Sequence, residues 1–73
     1  MPHEVASRVL KKQISPIRAW REHLGLTQAE VAARMDVSQS ALAQMEAPDA
    51  RPRLATLKKV AAALGLVPDQ IKW

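Results

Sequence analysis

The 73-residue chain has no cysteine, no phenylalanine or tyrosine, and only two histidines and two glycines. The missing cysteines exclude a disulfide framework and a thiolate zinc site, and His3 with His23 alone makes no metal cluster. No metal or cofactor is therefore expected, and a reducing cytoplasm suits the chain. Long apolar runs are absent as well. The longest, Val60 to Leu64 followed by Gly65, Leu66 and Val67, falls far short of the ~18 residues of a membrane span. The first residues also lack the charged head, apolar stretch and cleavage site of a signal peptide, so no membrane partner is expected. Strand-period alternation and Asn-Gly or Asp-Gly hairpin signals are missing too, which leaves an all-α domain. A chain this short buries only roughly 60% of its unfolded surface, too little for a substrate cleft beside a separate cofactor domain. No nucleophile is spaced to meet a base, and no glycine-rich phosphate loop is present. An enzyme with a small-molecule substrate is thus not expected.

Helix punctuation is plentiful by contrast. Residues 3 to 13 place Val5 and Val9 four apart with Leu10 beside them, an apolar stripe opposite Arg8, Lys11 and Lys12. This helix must stop before Ser15-Pro16, since the residue before a proline avoids the helical region. Serine caps and proline at the first helical position then start a second helix, with the stripe Ile17, Trp20 and Leu24 and a stop at Gly25. In LTQAEV, Thr27 and Glu30 form a capping box, and Leu26 with Val31 the hydrophobic staple, for a third helix over 28 to 35. Ser38 caps a fourth from Gln39 to about Glu46, with Val37 and Leu42 as its staple. A fifth runs from Leu54 to Leu64, with Leu54, Leu57, Val60, Ala61 and Leu64 on its apolar face. One further turn can begin at Pro68.

Two short capped helices joined by a tight turn are the pattern of a helix-turn-helix, whose second helix enters the DNA major groove. Val31, Met35, Val37, Leu42 and Met45 supply its core, and Ala32 is small where the helices would cross. With Leu42 and Met45 inward, Gln39, Ser40, Ala43 and Gln44 face out. An amide can pair with adenine, serine serves several bases, and alanine can touch a thymine methyl. An ordinary solvated face would have the same composition, so the layout of charge matters. The net +4 favours a polyanionic partner. It is unevenly spread: Thr27 to Ala47 carries Glu30, Asp36 and Glu46 against Arg34, whereas Pro48 to Trp73 carries Arg51, Arg53, Lys58, Lys59 and Lys72 against Asp49 and Asp69. Cations beside a nearly uncharged helix suit an interface where flanks hold phosphates and amides read bases.

The run GLTQAEVAARMDVSQSALAQMEA, Gly25 to Ala47, resembles the helix-turn-helix of the lambda-repressor-like (XRE) family of bacterial and phage regulators. The likeness continues through RPRLATLKKVAAALGL and so covers about residues 16 to 66. It implies a five-helix lambda-repressor-like fold, here divided into an N-terminal amphipathic segment (1–14), the helix-turn-helix domain (15–66) and a C-terminal tail (67–73). By the resemblance, Gln28 contacts a phosphate and buttresses Gln39. It places Gln39, Ser40 and Gln44 on base-contacting positions, beside Ala43, and Ser38, Arg51 and Arg53 against the phosphate backbone. It also implies a structural ion pair, Arg21 with Glu46. Two positions depart from the pattern. Asp36 stands where the turn usually has glycine, and can adopt a left-handed conformation at some cost. Pro48, where glycine usually follows the recognition helix, cannot take positive φ; the loop to Pro52, Arg51 included, is expected to differ.

The N-terminal phrase PHEVASRVLKKQISPIRAWREHLGLTQAEVAARM is similar to small antitoxins of the HigA/RelB type, encoded beside RelE/HigB-like toxins. The resemblance implies an autoregulating repressor of a toxin-antitoxin operon, a homodimer on a palindromic double-stranded operator, with a toxin as second partner. Residues 3 to 13 equally suit a helix that only covers the core. Two alternatives stay open: an interaction module that mainly neutralises a toxin, and a phage-type repressor with no toxin. Val5, Val9, Leu10, Leu66, Ile71 and Trp73 are the candidate dimer residues.

Overall fold

The computed structural model describes residues 2–71 and, within them, every side chain but that of Lys12. The described residues are helical with no strand: α1 (His3–Lys12), α2 (Pro16–His23), α3 (Gln28–Met35), α4 (Gln39–Met45), α5 (Leu54–Leu64) and a single 3-10 turn, Pro68–Gln70. The all-helical expectation is met.

Several helix boundaries have a local cause. Ser15 caps α2 by accepting from the Arg18 amide at 3.2 Å, with Pro16 at the first helical position. The chain leaves α1 through Gln13 at φ 55°, α3 through Asp36 at φ 56° and α5 through Gly65 at φ 74°, the left-handed exit that satisfies the last helical carbonyls. Asp36 thus takes the conformation that its place in the turn requires.

One core unites the elements. Val5 of α1, Ile17 of α2, Val31 of α3, Leu42 of α4 and Val60 of α5 are fully buried, each worth roughly 1.5–3 kcal/mol relative to exposure. Trp20 packs among them and its Nε1 donates to the Gln70 carbonyl at 3.0 Å. That bond fastens the terminal turn to α2. Across the α1–α2 seam, Arg8 Nη1 meets Glu22 Oε1 at 3.4 Å and His23 Nδ1 meets Glu4 Oε2 at 3.2 Å.

Three residues fall off their expected stripes. Leu10 is 78% exposed although Val5 is buried and Val9 packs against the core. One residue on from Val9, it is rotated about 100° around the axis, past the ridge that α1 sets against α2. Leu24 is exposed because α2 ends at His23 and the chain turns out toward Gly25, leaving Leu26 to pack inward. Leu54, the first residue of α5, is exposed as well, and the buried face begins further along at Leu57 and Val60. Among the candidate dimer residues, Val5 and Ile71 are buried within the protomer and cannot form an interface. Leu66 packs partly against the same core. Trp73 lies outside the described residues.

Candidate nucleic-acid interface

The α3–turn–α4 unit is held by side-chain caps at both helix starts. Thr27 Oγ1 accepts from the Glu30 amide at 3.1 Å while Glu30 Oε1 accepts from the Thr27 amide at 3.2 Å, a reciprocal box that satisfies two otherwise unpaired donors. After α3, the Val37 amide donates to the Ala32 carbonyl at 3.0 Å, and Ser38 Oγ accepts from the Ala41 amide at 3.1 Å. Only residues 36–38 separate the helices. Such a tight link requires a left-handed residue at Asp36 and a capping hydroxyl at Ser38, and the sequence has both.

Leu42 drives α4 into the core, with Met45 one turn later packed against it. The opposite face consists of Gln39, Ser40, Ala43 and Gln44, all exposed. This face is uncharged, and its two amides and one hydroxyl can donate and accept.

Behind that face lies a chain of polar contacts that reaches the molecule's one buried carboxylate among the described residues. Glu46, at the C-cap of α4, is 4% exposed. Arg21 of α2 grips it with one edge of its guanidinium, Nε to Oε2 at 2.7 Å and Nη2 to Oε1 at 3.1 Å, while Nη1 donates to the Leu26 carbonyl at 2.9 Å. This forked geometry is the strong form of the arginine–carboxylate contact. Gln28, the first residue of α3, donates from Nε2 to Glu46 Oε1 at 3.0 Å. Its own Oε1 accepts from Gln39 Nε2 at 3.3 Å. No buried side-chain nitrogen or oxygen among the described residues lacks a partner, as a buried polar network requires.

The structure therefore brings Arg21, Glu46, Gln28 and Gln39 into one connected cluster and leaves Ser40, Ala43 and Gln44 open beside it. The basic flank is separate. Ala50 donates from its amide to the Ala47 carbonyl at 3.0 Å, closing a turn with Pro48 at its second position, where proline is favoured. No left-handed residue occurs in this loop. Arg51 is exposed and its Nη1 donates to the Ala50 carbonyl at 2.9 Å. Arg53 is exposed at the N-cap of α5 and its side chain makes no cap bond. Ala41, Gln44 and Met45 of α4 face Ala50, Arg51, Pro52 and Thr56 across a shallow groove, which sets Arg51 next to the outward face of α4.

Two contacts have no local signal in the sequence. Gln28 to Glu46 joins residues on two different helices with no shared period. Arg34 Nη1 donates to the Ala63 carbonyl at 3.1 Å, so the lone cation of the α3–α4 unit ties α3 to the end of α5 rather than serving the outward face. Arginine in the last turn of a helix is a signal for bonding carbonyls of its own helix, and its use on a neighbour's carbonyl is not visible in sequence.

Among the described residues, no group of three or more His, Cys, Asp or Glu is placed to hold a metal ion, and no helix is long and apolar enough to cross a membrane. A helix-turn-helix family model matches residues 17–71, from the second residue of α2 through the terminal turn. No curated protein and no solved structure matches the chain.

Proposed function

The chain belongs to the XRE, lambda-repressor-like helix-turn-helix family of DNA-binding regulators, and from that premise we propose that it is a sequence-specific repressor acting as a homodimer on a palindromic operator in the cytoplasm. The observation that carries this reading is the α4 surface: an uncharged row of Gln39, Ser40, Ala43 and Gln44, presented by a helix that is bolted from behind through Leu42 and through the Gln28–Glu46–Arg21 cluster. A base-reading amide must be held in register to discriminate, because a bidentate contact with adenine needs both its donor and its acceptor in line. Gln39 has such a brace, and Gln44 reads from the following turn of the same face.

Phosphate contacts fall to Arg51 and Arg53 on the loop and the start of α5, to the hydroxyl hydrogen of Ser38, and to the second amide hydrogen of Gln28. These contacts position the helix and carry no sequence information. One reading helix covers only a few base pairs; two, related by a two-fold axis, would read half-sites about one helical turn apart. The direct test is a mobility shift with the DNA upstream of the protein's own gene. A shift that survives excess unrelated duplex, together with a dimer in analytical ultracentrifugation, supports the reading. Equal competition by unrelated DNA refutes it.

A second role, binding a RelE/HigB-like toxin, is supported by α1. It precedes the matched residues and carries Leu10 at 78% exposure. In the antitoxin reading, α1 is the toxin-facing element and the protein represses its own operon. Co-purification of the neighbouring gene's product, lost on replacing Leu10 by aspartate, is the expected result. If the neighbouring product does not bind, the protein is a phage-type repressor; if it binds while no operator is shifted, the protein mainly neutralises the toxin.

A further inference from the structure

The hydrogen bonds that join Glu46 to Gln39 have a fixed direction, and that direction determines what Gln39 presents to solvent. A carboxylate can only accept. Both oxygens of Glu46 accept from the guanidinium of Arg21, at 2.7 and 3.1 Å, so the group of Gln28 that faces it at 3.0 Å must be the amino end. The carbonyl end of Gln28 is thereby turned toward Gln39, where it accepts from Nε2 at 3.3 Å. Gln39 in turn is left with one free N–H and a free carbonyl oxygen, both on an exposed side chain at the first position of α4.

One donor and one acceptor is the pattern complementary to the major-groove edge of adenine, which offers N7 as acceptor and its exocyclic amine as donor. Guanine offers two acceptors, N7 and O6, and needs two donors. Were the Gln28 amide reversed, its amino end would face Gln39, the Gln39 carbonyl would spend one of its two lone pairs on that contact, and both Gln39 N–H groups would be left free to meet the two acceptors of guanine. We infer that Glu46, a buried residue that touches no base, is a positioning residue for specificity: its charge sets the polarity of the Gln28–Gln39 relay and so makes Gln39 select adenine over guanine. This rests on the reading of α4 as the base-reading helix.

Gln28→Met is the informative variant, since it keeps the Arg21–Glu46 pair at 2.7 and 3.1 Å and removes the relay. Gln39 then loses the acceptor that fixes its amide, and both of its N–H groups become free to donate. The double variant Arg21→Met with Glu46→Leu removes the charge instead, so that nothing orients the Gln28 amide.

The experiment is selection from a duplex DNA library with a fully randomised core, after circular dichroism has shown that each variant is folded. Gln39→Ala first identifies the base position that depends on Gln39. At that position the wild-type protein is expected to prefer adenine to guanine by roughly five- to a hundredfold, the range for one paired contact. Gln28→Met is expected to bring that ratio toward one and to leave the base read by Gln44 unchanged, and the Arg21→Met, Glu46→Leu double variant to do the same. A purely structural role for Glu46 would weaken all positions together. A folded double variant that keeps the wild-type ratio overturns the inference, as does a wild-type protein that does not select adenine at that position. Should the double variant fail to fold, Gln28→Met alone decides, and retention of the wild-type ratio there overturns the inference. If the wild-type protein enriches no motif at all, the reading of α4 itself fails and the inference falls with it.

Discussion

Replacing Arg21 by methionine keeps most of the side chain's volume and removes the charge that Glu46 is buried against. The Arg21 and Glu46 side chains retain only 12% and 3% of their exposure, so little water is available to take over the lost contacts. Leaving one partner of a buried pair uncompensated costs about 3–5 kcal/mol. Gln28 still donates to Glu46 at 3.0 Å, which favours the lower end, about 3 kcal/mol. A chain of this length has a total stability of roughly 4–11 kcal/mol at ~0.05–0.15 kcal/mol per residue, so the single substitution removes a large share of it. Urea denaturation followed by circular dichroism should show the midpoint falling by ~3 M, for a slope of about 1 kcal/mol/M. The thermal midpoint should fall by roughly 12–24 °C, at ~4–8 °C per kcal/mol for a domain of this size. The double variant Arg21→Met with Glu46→Leu should recover to within about 1 kcal/mol of the parent or beyond it, because an apolar pair avoids the desolvation of both charges. A loss below about 1 kcal/mol in the single variant would mean that the pair behaves like a solvated surface bridge, and the buried-anchor account of α4 would be refuted.

Other expectations follow from single contacts. Thr27→Ala removes one half of the capping box at the start of α3 and should cost about 1 kcal/mol in urea denaturation, with no change in the end of α4. Asp36→Gly relieves a left-handed residue at φ 56° and should stabilise by about 0.5–1 kcal/mol; destabilisation would show that the aspartate contributes more than its strain costs. Arg53→Ala should reduce the slope of log affinity against log salt by about one unit without altering sequence preference. An unchanged slope would remove Arg53 from the phosphate contacts.

The helix boundaries were legible because their determinants are local. Ser15-Pro16, the Thr27–Glu30 box and Ser38 each set a boundary within four residues of sequence, and α2, α3 and α5 begin at the expected positions. Exposure was less legible at the margins of each apolar stripe. Leu10, Leu24 and Leu54 fit a helical period, yet which flank is covered depends on where the neighbouring helix ends, and no period encodes that. Val5 and Ile71 illustrate the converse. Residues near the two ends of the chain join the common core, where the polar contacts between α1 and α2 and the Trp20–Gln70 bond fasten them, contacts that span many residues. Gln28 and Gln39 were picked out through resemblance. The Gln28–Glu46 contact, which gives that pair its direction, required the packed helices to be seen.

The central claim is that Gln44 and Gln39 on the outer face of α4 read bases while the rest of the domain holds them in place. It is tested most directly by measuring the affinity of the wild-type protein and of Gln44→Ala for the best duplex from a randomised library, in parallel with an unrelated duplex at the same salt concentration. The account predicts that Gln44→Ala loses about 1–3 kcal/mol on the selected duplex and nothing on the unrelated one. Equal affinities of the two proteins for the selected duplex would contradict it.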